Sequence, residues 1–368
     1  MARSHDRASL SPAPPSRLTH EVGASYTDAE TTGPAPAPGR GNDPLSDVLR
    51  TVKLTGALFF MVDATHPWGV EVPRTDRVAP AVLPGAQHVI SYDIILEGSG
   101  WVCMQGAAPV RFEGGDILVF AHSDPYLLLS APDQQPEFDS IATVEFLREM
   151  AAGRLPFVVE EGGGGPERTR YVCGYLGCDM RPFNPVLATL PRFLQVKRRN
   201  YAGDELLDHL VELTLAEART RRAGGDSIRL RLSELIFVEV IRRYLETLPV
   251  GGTGWLAGLR DRSVGRVLTL FHEHPARAWT LNELASESGL SRAVLAERFA
   301  HLVGCPPMKY LTLWRMQIAA RMLADRPAKV AAVAHDVGYE SEAAFSRAFK
   351  KATGVSPAAW RDHHVASA

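Results

Sequence analysis

The sequence predicts a multidomain α+β protein. A β-rich N-terminal half forms a small antiparallel barrel or sandwich, a helical extension follows, and an all-α C-terminal domain holds two helix-turn-helix units. Three observations predict this. Short segments of Val, Ile, Leu, Phe and Tyr cluster between residues 88 and 130, helical periodicity takes over after Pro185, and a motif near the C-terminus recurs 50 residues later. At 368 residues the chain exceeds one hydrophobic core. Its 45% hydrophobic and 22% charged residues exclude wholesale disorder. No apolar run approaches the roughly 18 residues of a membrane span, so a soluble protein with no membrane partner is expected.

Residues 1–43 are rich in Ser, Pro, Ala and Gly, including the run Gly33 to Gly39, and read as a disordered leader. The basic residues there precede no apolar segment, so no secretory signal is read and a cytoplasmic location is expected. Pro44 to Thr55 reads as a short helix. The β-formers of His88–Leu96, Trp101–Gln105, Val110–Phe112, Asp116–Ala121 and Tyr126–Ser130 are separated by turns, the first three Gly-containing, and complete a sensor-sized domain over 44–185.

In the extension, 186–250, Leu206, Leu207, Leu210, Val211 and Leu213 recur at helical spacing, as do Leu232, Leu235, Ile236, Val238, Val240 and Ile241. These stripes fit core helices or the seam of a homodimer. Gly251 to Gly254 reads as a linker. Four cysteines, Cys103, Cys173, Cys178 and Cys305, are too few and too scattered to staple the chain, which leaves buried thiols as the expectation.

The net charge of −2 hides an asymmetry. Residues 261–362 carry 14 Lys/Arg and 10 Asp/Glu, a balance of +4, leaving −6 elsewhere. The basic end is the one suited to a polyanion.

That region contains the repeat. Ser291-Arg-Ala-Val-Leu-Ala-Glu-Arg-Phe299 with Gly304 and Pro307 matches Ser341-Glu-Ala-Ala-Phe-Ser-Arg-Ala-Phe349 with Gly354 and Pro357. In the first unit, 281–302, Leu281 to Ser288 forms a helix, Gly289 turns the chain and Ser291 caps a second helix. In the second, 330–352, Val330 to Val337, Gly338 and Ser341 play the same parts, with Ala285 and Ala334 as the small inward residues. Pro307 to Ala324 between them spans roughly 27 Å as a helix, close to the roughly 34 Å turn of B-DNA, so two heads could enter successive major grooves.

These residues, and above all Val337 to Lys350 followed by Gly354 to Arg361, resemble the DNA-binding domain of the AraC/XylS family of bacterial regulators. The resemblance implies seven helices, promoter DNA as partner, RNA polymerase nearby and a dimer or pair of protomers. Carried over by position, Ser291, Arg292, Ala293, Val294, Ala296 and Glu297 face DNA in the first unit. Ser341, Glu342, Ser346, Arg347 and Lys350 do so in the second, with Lys351 beside them. Arg347 is the expected guanine reader and Lys350 a phosphate contact.

The N-terminal half resembles the cupin-type sensor domain of one branch of that family, through Tyr92 to Gly98, Gly114 to Phe120, His122 to Pro125 and Val172 to Gly174. No cofactor is required. A metal ion remains open, because His88, Asp93, Glu97 and His122 form a mixed nitrogen and oxygen donor set, although Asp93 and Tyr126 stand where relatives carry His. Cys173 and Cys178 leave a redox signal open beside a small-molecule effector. Two other classes compete with the DNA-binding regulator: a cupin-type metal-dependent enzyme with an accessory helical domain, and a regulator that binds DNA without sequence preference.

Overall fold

Asp43 caps helix α1 (Pro44–Thr51), its carboxylate accepting from the Leu45 and Ser46 amides at 3.2 and 3.1 Å. The computed structural model describes residues 43–51, 54–178, 180, 182–197, 204–219, 222–249, 251–325 and 328–365. Apart from Asp43, the expected leader lies outside them. The first helix stops four residues short of Thr55. Leu54 and Thr55 instead open β1 (Leu54–Thr65), an aromatic and β-branched run that pairs along its length with a later strand.

There follow β2 (Gly69–Val72), α2 (Thr75–Val82), β3 (His88–Glu97), β4 (Ser99–Met104), β5 (Val110–Glu113), β6 (Ile117–Phe120) and β7 (Tyr126–Leu129). Next come α3 (Ser140–Ala151), β8 (Val158–Gly162), β9 (Arg168–Cys178), α4 (Pro185–Thr189) and β10 (Leu194–Val196). They build a six-stranded sheet, ordered β10-β6-β3-β9-β1-β8, and a four-stranded sheet, ordered β2-β7-β4-β5. β8 runs parallel to β1, and the other ladders are antiparallel.

Among the described residues no ladder joins the two sheets, so the expected barrel is not closed. They face each other across a core that includes Phe60, Val62, Ile95, Leu118, Phe120 and Leu128. β3 and β9 occupy the middle of the larger sheet. Both faces of β3 are covered, so every residue from His88 to Ile95 is buried.

The outer face of the larger sheet, with Tyr92, Ile94, Val172 and Leu176, packs on the helical extension, α5 (Asp204–Arg219) and α6 (Gly225–Thr247). Leu207 and Leu210 of α5 and Leu232, Ile236, Val240 and Ile241 of α6 are buried there. Leu206, Leu213, Ile228 and Leu235 are left exposed.

The C-terminal region comprises α7 (Trp255–Arg260), α8 (Arg262–Glu273), α9 (Leu281–Ser288), α10 (Arg292–Val303), α11 (Pro307–Asp325), α12 (Val330–Asp336), α13 (Glu342–Thr353) and α14 (Pro357–Val365). The outer sheet core runs on without a break into Trp255, Val267, Phe271, Phe299 and Tyr310. The second helix-turn-helix has a core of its own around Met316, Leu323, Val333, Phe345, Phe349 and Trp360. The sensor half is thus fused to the first unit, and the second hangs from α11.

Candidate nucleic-acid interface and sensor interior

Each reading unit is built by the same local chemistry. α9 opens with a capping box in which Thr280 and Glu283 satisfy one another's backbone N–H groups. It closes at Gly289 in the left-handed conformation, φ 71°, and Ser291 then caps α10 by accepting from the Val294 amide at 3.4 Å. In the second unit Gly338 turns at φ 83° and Ser341 accepts from the Ala344 amide at 3.4 Å to start α13. Ala285 and Ala334 are buried where the paired helices meet.

This geometry leaves one face of each second helix uncovered. On α10, Leu295 and Phe299 point inward while Ser291, Arg292, Ala293, Val294 and Glu297 are exposed and Ala296 is half-buried. On α13, Phe345 and Phe349 point inward while Ser341, Glu342, Arg347, Lys350 and Lys351 are exposed and Ser346 is half-buried. Arg347, Lys350 and Lys351 have no carboxylate partner among the described residues. Arg298 behaves differently: its guanidinium is held by Asp261 at 2.6 Å, and Asp261 also caps α8.

The glycine-rich segment before α7 is tied down. The Gly254 amide donates to Leu302 O at 2.7 Å, and Arg260 donates to Leu245 O and Leu248 O, at 3.2 and 2.7 Å, capping the end of α6. A 770 Å³ cavity lies between this segment and α10, lined by Leu248, Gly251 and Arg260 on one side and by Val294, Glu297 and His301 on the other. Sequence reasoning did not place the linker beside a reading helix. The Arg260 to α6 contact is long-range, and no local pattern signals it.

The candidate metal donors do not converge. His88 and Asp93 lie five residues apart on opposite faces of β3, roughly 16 Å along the strand. The Nε2 atoms of His88 and His122 donate to Ala121 O and Leu190 O at 2.7 and 2.8 Å. Glu97 stands exposed at the far end of β3, paired with Arg170 at 3.3 Å. Among the described residues no group of three or more His, Cys, Asp or Glu side chains could hold a metal ion.

Nor do the two cysteines meet. Cys173 and Cys178 are five residues apart on β9 and face opposite sides of the sheet, roughly 16 Å apart against the 7 Å limit for a disulfide. Burial, with the carboxyl of Asp93 beside it, pushes the Cys173 thiol well above its ordinary range, the reverse of what thiolate chemistry requires.

What the sheets do enclose is Asp93. It is directly opposite Cys173 in the β3–β9 ladder, and its Oδ2 has no hydrogen-bond partner among the described residues. Burial pushes its carboxyl up to about 7, against a smaller lowering by the Cys173 thiol. Tyr126, which bonds Ser91 at 2.6 Å, and Tyr175 complete the surroundings. Glu161, hydrogen-bonded by Tyr171 at 3.1 Å, is likewise raised by burial to about 7. One residue back from Asp93, Tyr92 points through the other face to Ser233 of α6 at 3.0 Å. Its ring lies over Gly174, where a Cβ would fall 2.0 Å from the ring carbon Cζ.

A two-sheet sensor fused by helices to a pair of helix-turn-helix units on one long helix defines a DNA-binding regulator. Comparison with known proteins agrees: residues 43–246 match a cupin family model and residues 284–363 a helix-turn-helix domain model. The chain is 33% identical to an AraC-like transcription regulator of Streptomyces lividans over 87% of its own length and 98% of that protein's. It is 31% identical to another from Streptomyces antibioticus, over 87% and 99%. To the regulator AlkR of Acinetobacter baylyi it is 25% identical, over 87% and 99%. The chain belongs to the AraC-like family of transcription regulators, whose relatives here are regulators and not enzymes.

Proposed function

We propose that this regulator reads two elements of promoter DNA, one through α10 and one through α13, under control of a signal received between the sheets of its N-terminal domain. The observation that carries the reading is the exposed face of α13, where Arg347, Lys350 and Lys351 stand without carboxylate partners among the described residues, beside a Ser-capped helix start. Arg347 reads a base edge and Lys350 meets phosphate. α10 offers Ala293, Val294 and Ala296 for thymine methyl contact and Glu297 for a cytosine amino group. α11, 19 residues and roughly 28 Å long, sets the two heads close to one helical turn apart.

Control follows a short route. A small-molecule effector acting near Asp93 disturbs a sheet whose other face, through Tyr92 and Gly174, bears on α6. The end of α6 is bonded to Arg260, and the segment beyond it walls the cavity beside Val294 and Glu297. A shift of α6 therefore changes access to the first reading helix. Leu206 and Leu213 on α5, and Ile228 and Leu235 on α6, are exposed at seven-residue intervals and supply the seam of a homodimer. The DNA-bound dimer, in the cytoplasm, then acts on RNA polymerase according to where its site lies.

Selection of genomic fragments by the purified full-length protein tests this reading. A recovered motif of two elements about one turn apart is expected. Salt-sensitive binding without any motif would return the chain to nonspecific DNA association.

A further inference from the structure

α11 carries a cation in an unusual position. Arg315 sits midway along the helix, half-buried, and has no carboxylate partner among the described residues. Its donors go to backbone carbonyls contributed by both reading units. Nε donates to Pro275 O at 2.6 Å and Nη2 to Arg277 O at 2.8 Å, in the loop that leads into α9. Nη1 reaches Gly338 O, the turn of the second unit, at 3.5 Å, and the ring of Tyr339 lies 5.9 Å from the guanidinium carbon.

The loop is itself bound to the first unit. Arg277 lies 3.9 Å over the Trp279 ring and pairs at 3.2 Å with Glu283, the residue that closes the capping box of α9. On the other side, the turn of the second unit rests on the same loop: a Cβ at Gly338 would fall 2.3 Å from Ala276 O. The two units have separate cores, so little else besides α11 fixes one against the other. A planar guanidinium with five donors in a fixed fork can hold three carbonyls at once, whereas a lysine ammonium has no such fork.

We propose that Arg315 is a positioning residue that fixes the second reading helix relative to the first and thereby sets the spacing of DNA elements the protein accepts. The inference rests on the two-element reading given above. Removing the fork takes the Arg315 donor from Pro275 O and Gly338 O, leaves Arg277 O with only the Trp279 amide, and frees the Gly338 turn to slide on the Ala276 loop.

The test uses full-length parent, R315A and R315K with duplexes carrying the two selected elements at their natural spacing, with two base pairs inserted, and with each element alone. Two inserted base pairs rotate the second element by about 70°, so the parent should lose about tenfold in affinity or more. R315A should bind single elements within about threefold of the parent yet show little penalty for the insertion, with R315K between the two. A folded R315A that keeps the full spacing preference overturns the assignment, as does one that loses single and paired elements in parallel. If R315A does not fold, R315K carries the same test. A parent that selects one element with no spacing preference overturns the role of Arg315 alone, and a parent that selects no sequence overturns the DNA-reading function beneath it.

Discussion

Asp47, in the first helix of the sensor half, faces the imidazole of His272 in the DNA-binding region at 3.6 Å, too far for a hydrogen bond. The other imidazole nitrogen, Nε2, lies 2.8 Å from Tyr310 Oη, which accepts from Trp255 Nε1 at the same distance. α1, α7, α8 and α11 therefore meet around one buried histidine.

Burial holds the His272 pKa below 6.5 in spite of Asp47. The folded state then binds fewer protons than the unfolded one near pH 6, and stability falls as pH drops below about 6.5. Asp47 acts later: burial raises its pKa, but His272 and Arg50 outweigh this and bring it below 3.8, so its contribution is lost only in stronger acid. Urea unfolding at pH 7.5 and 5.5 should show the parent losing about 1 kcal/mol more than His272→Gln. Equal losses would remove His272 from the account.

Asp93 has the opposite sign. Its raised carboxyl, about 7 in the fold against 3.8 in the unfolded chain, favours the folded state while protonated and becomes a cost as pH climbs toward 7. Asp93→Asn should therefore stabilise the protein by about 2–4 kcal/mol at pH 8 and by much less at pH 5. A variant less stable than the parent at pH 8 would mean that the ionised carboxylate has a partner the folded chain supplies.

Tyr92 and Gly174 couple the sheet to α6. Tyr92→Phe removes the bond to Ser233 and should cost about 1 kcal/mol. Gly174→Ala should cost about 1–3 kcal/mol by displacing the ring. If the route to DNA runs through this contact, Gly174→Ala also alters DNA affinity although it touches no reading helix. Unchanged affinity in a folded variant would place the route elsewhere.

The exposed leucines predict assembly. Leu213→Glu combined with Leu235→Glu should turn a sedimenting dimer into a monomer with an unchanged thermal midpoint, since both residues are about half exposed, at 55% and 52%. A parent that is monomeric at micromolar concentration would dispose of the seam.

The helix-turn-helix units were legible almost to the residue because their signals are local. Gly289 and Gly338 take the left-handed turns, Ser291 and Ser341 cap, and the aromatic Phe299 and Phe349 point inward. The sensor was legible only in β3 to β7, where turns separate neighbours in sequence. β9 was missed although Thr169, Tyr171, Cys173 and Tyr175 alternate along it, because its partners β1 and β3 are remote in the chain. The parallel β8 leaves no local trace at all. α3 did leave one, Asp139, whose side chain accepts from the Ile141 and Ala142 amides. The donor set His88, Asp93, Glu97 and His122 failed for geometric reasons: His88 and Asp93, five apart on one strand, face opposite ways, Glu97 ends that strand paired with Arg170, and His122 bonds Leu190 O.

The most direct measurement is the affinity of Arg347→Ala and Lys350→Ala for the selected DNA and for its single-base variants at two salt concentrations. Arg347→Ala should lose about 1–3 kcal/mol and its preference at one base position, while Lys350→Ala weakens every sequence alike and lowers the salt slope by about 1. If both variants bind every DNA as tightly as the parent, α13 is not the recognition helix.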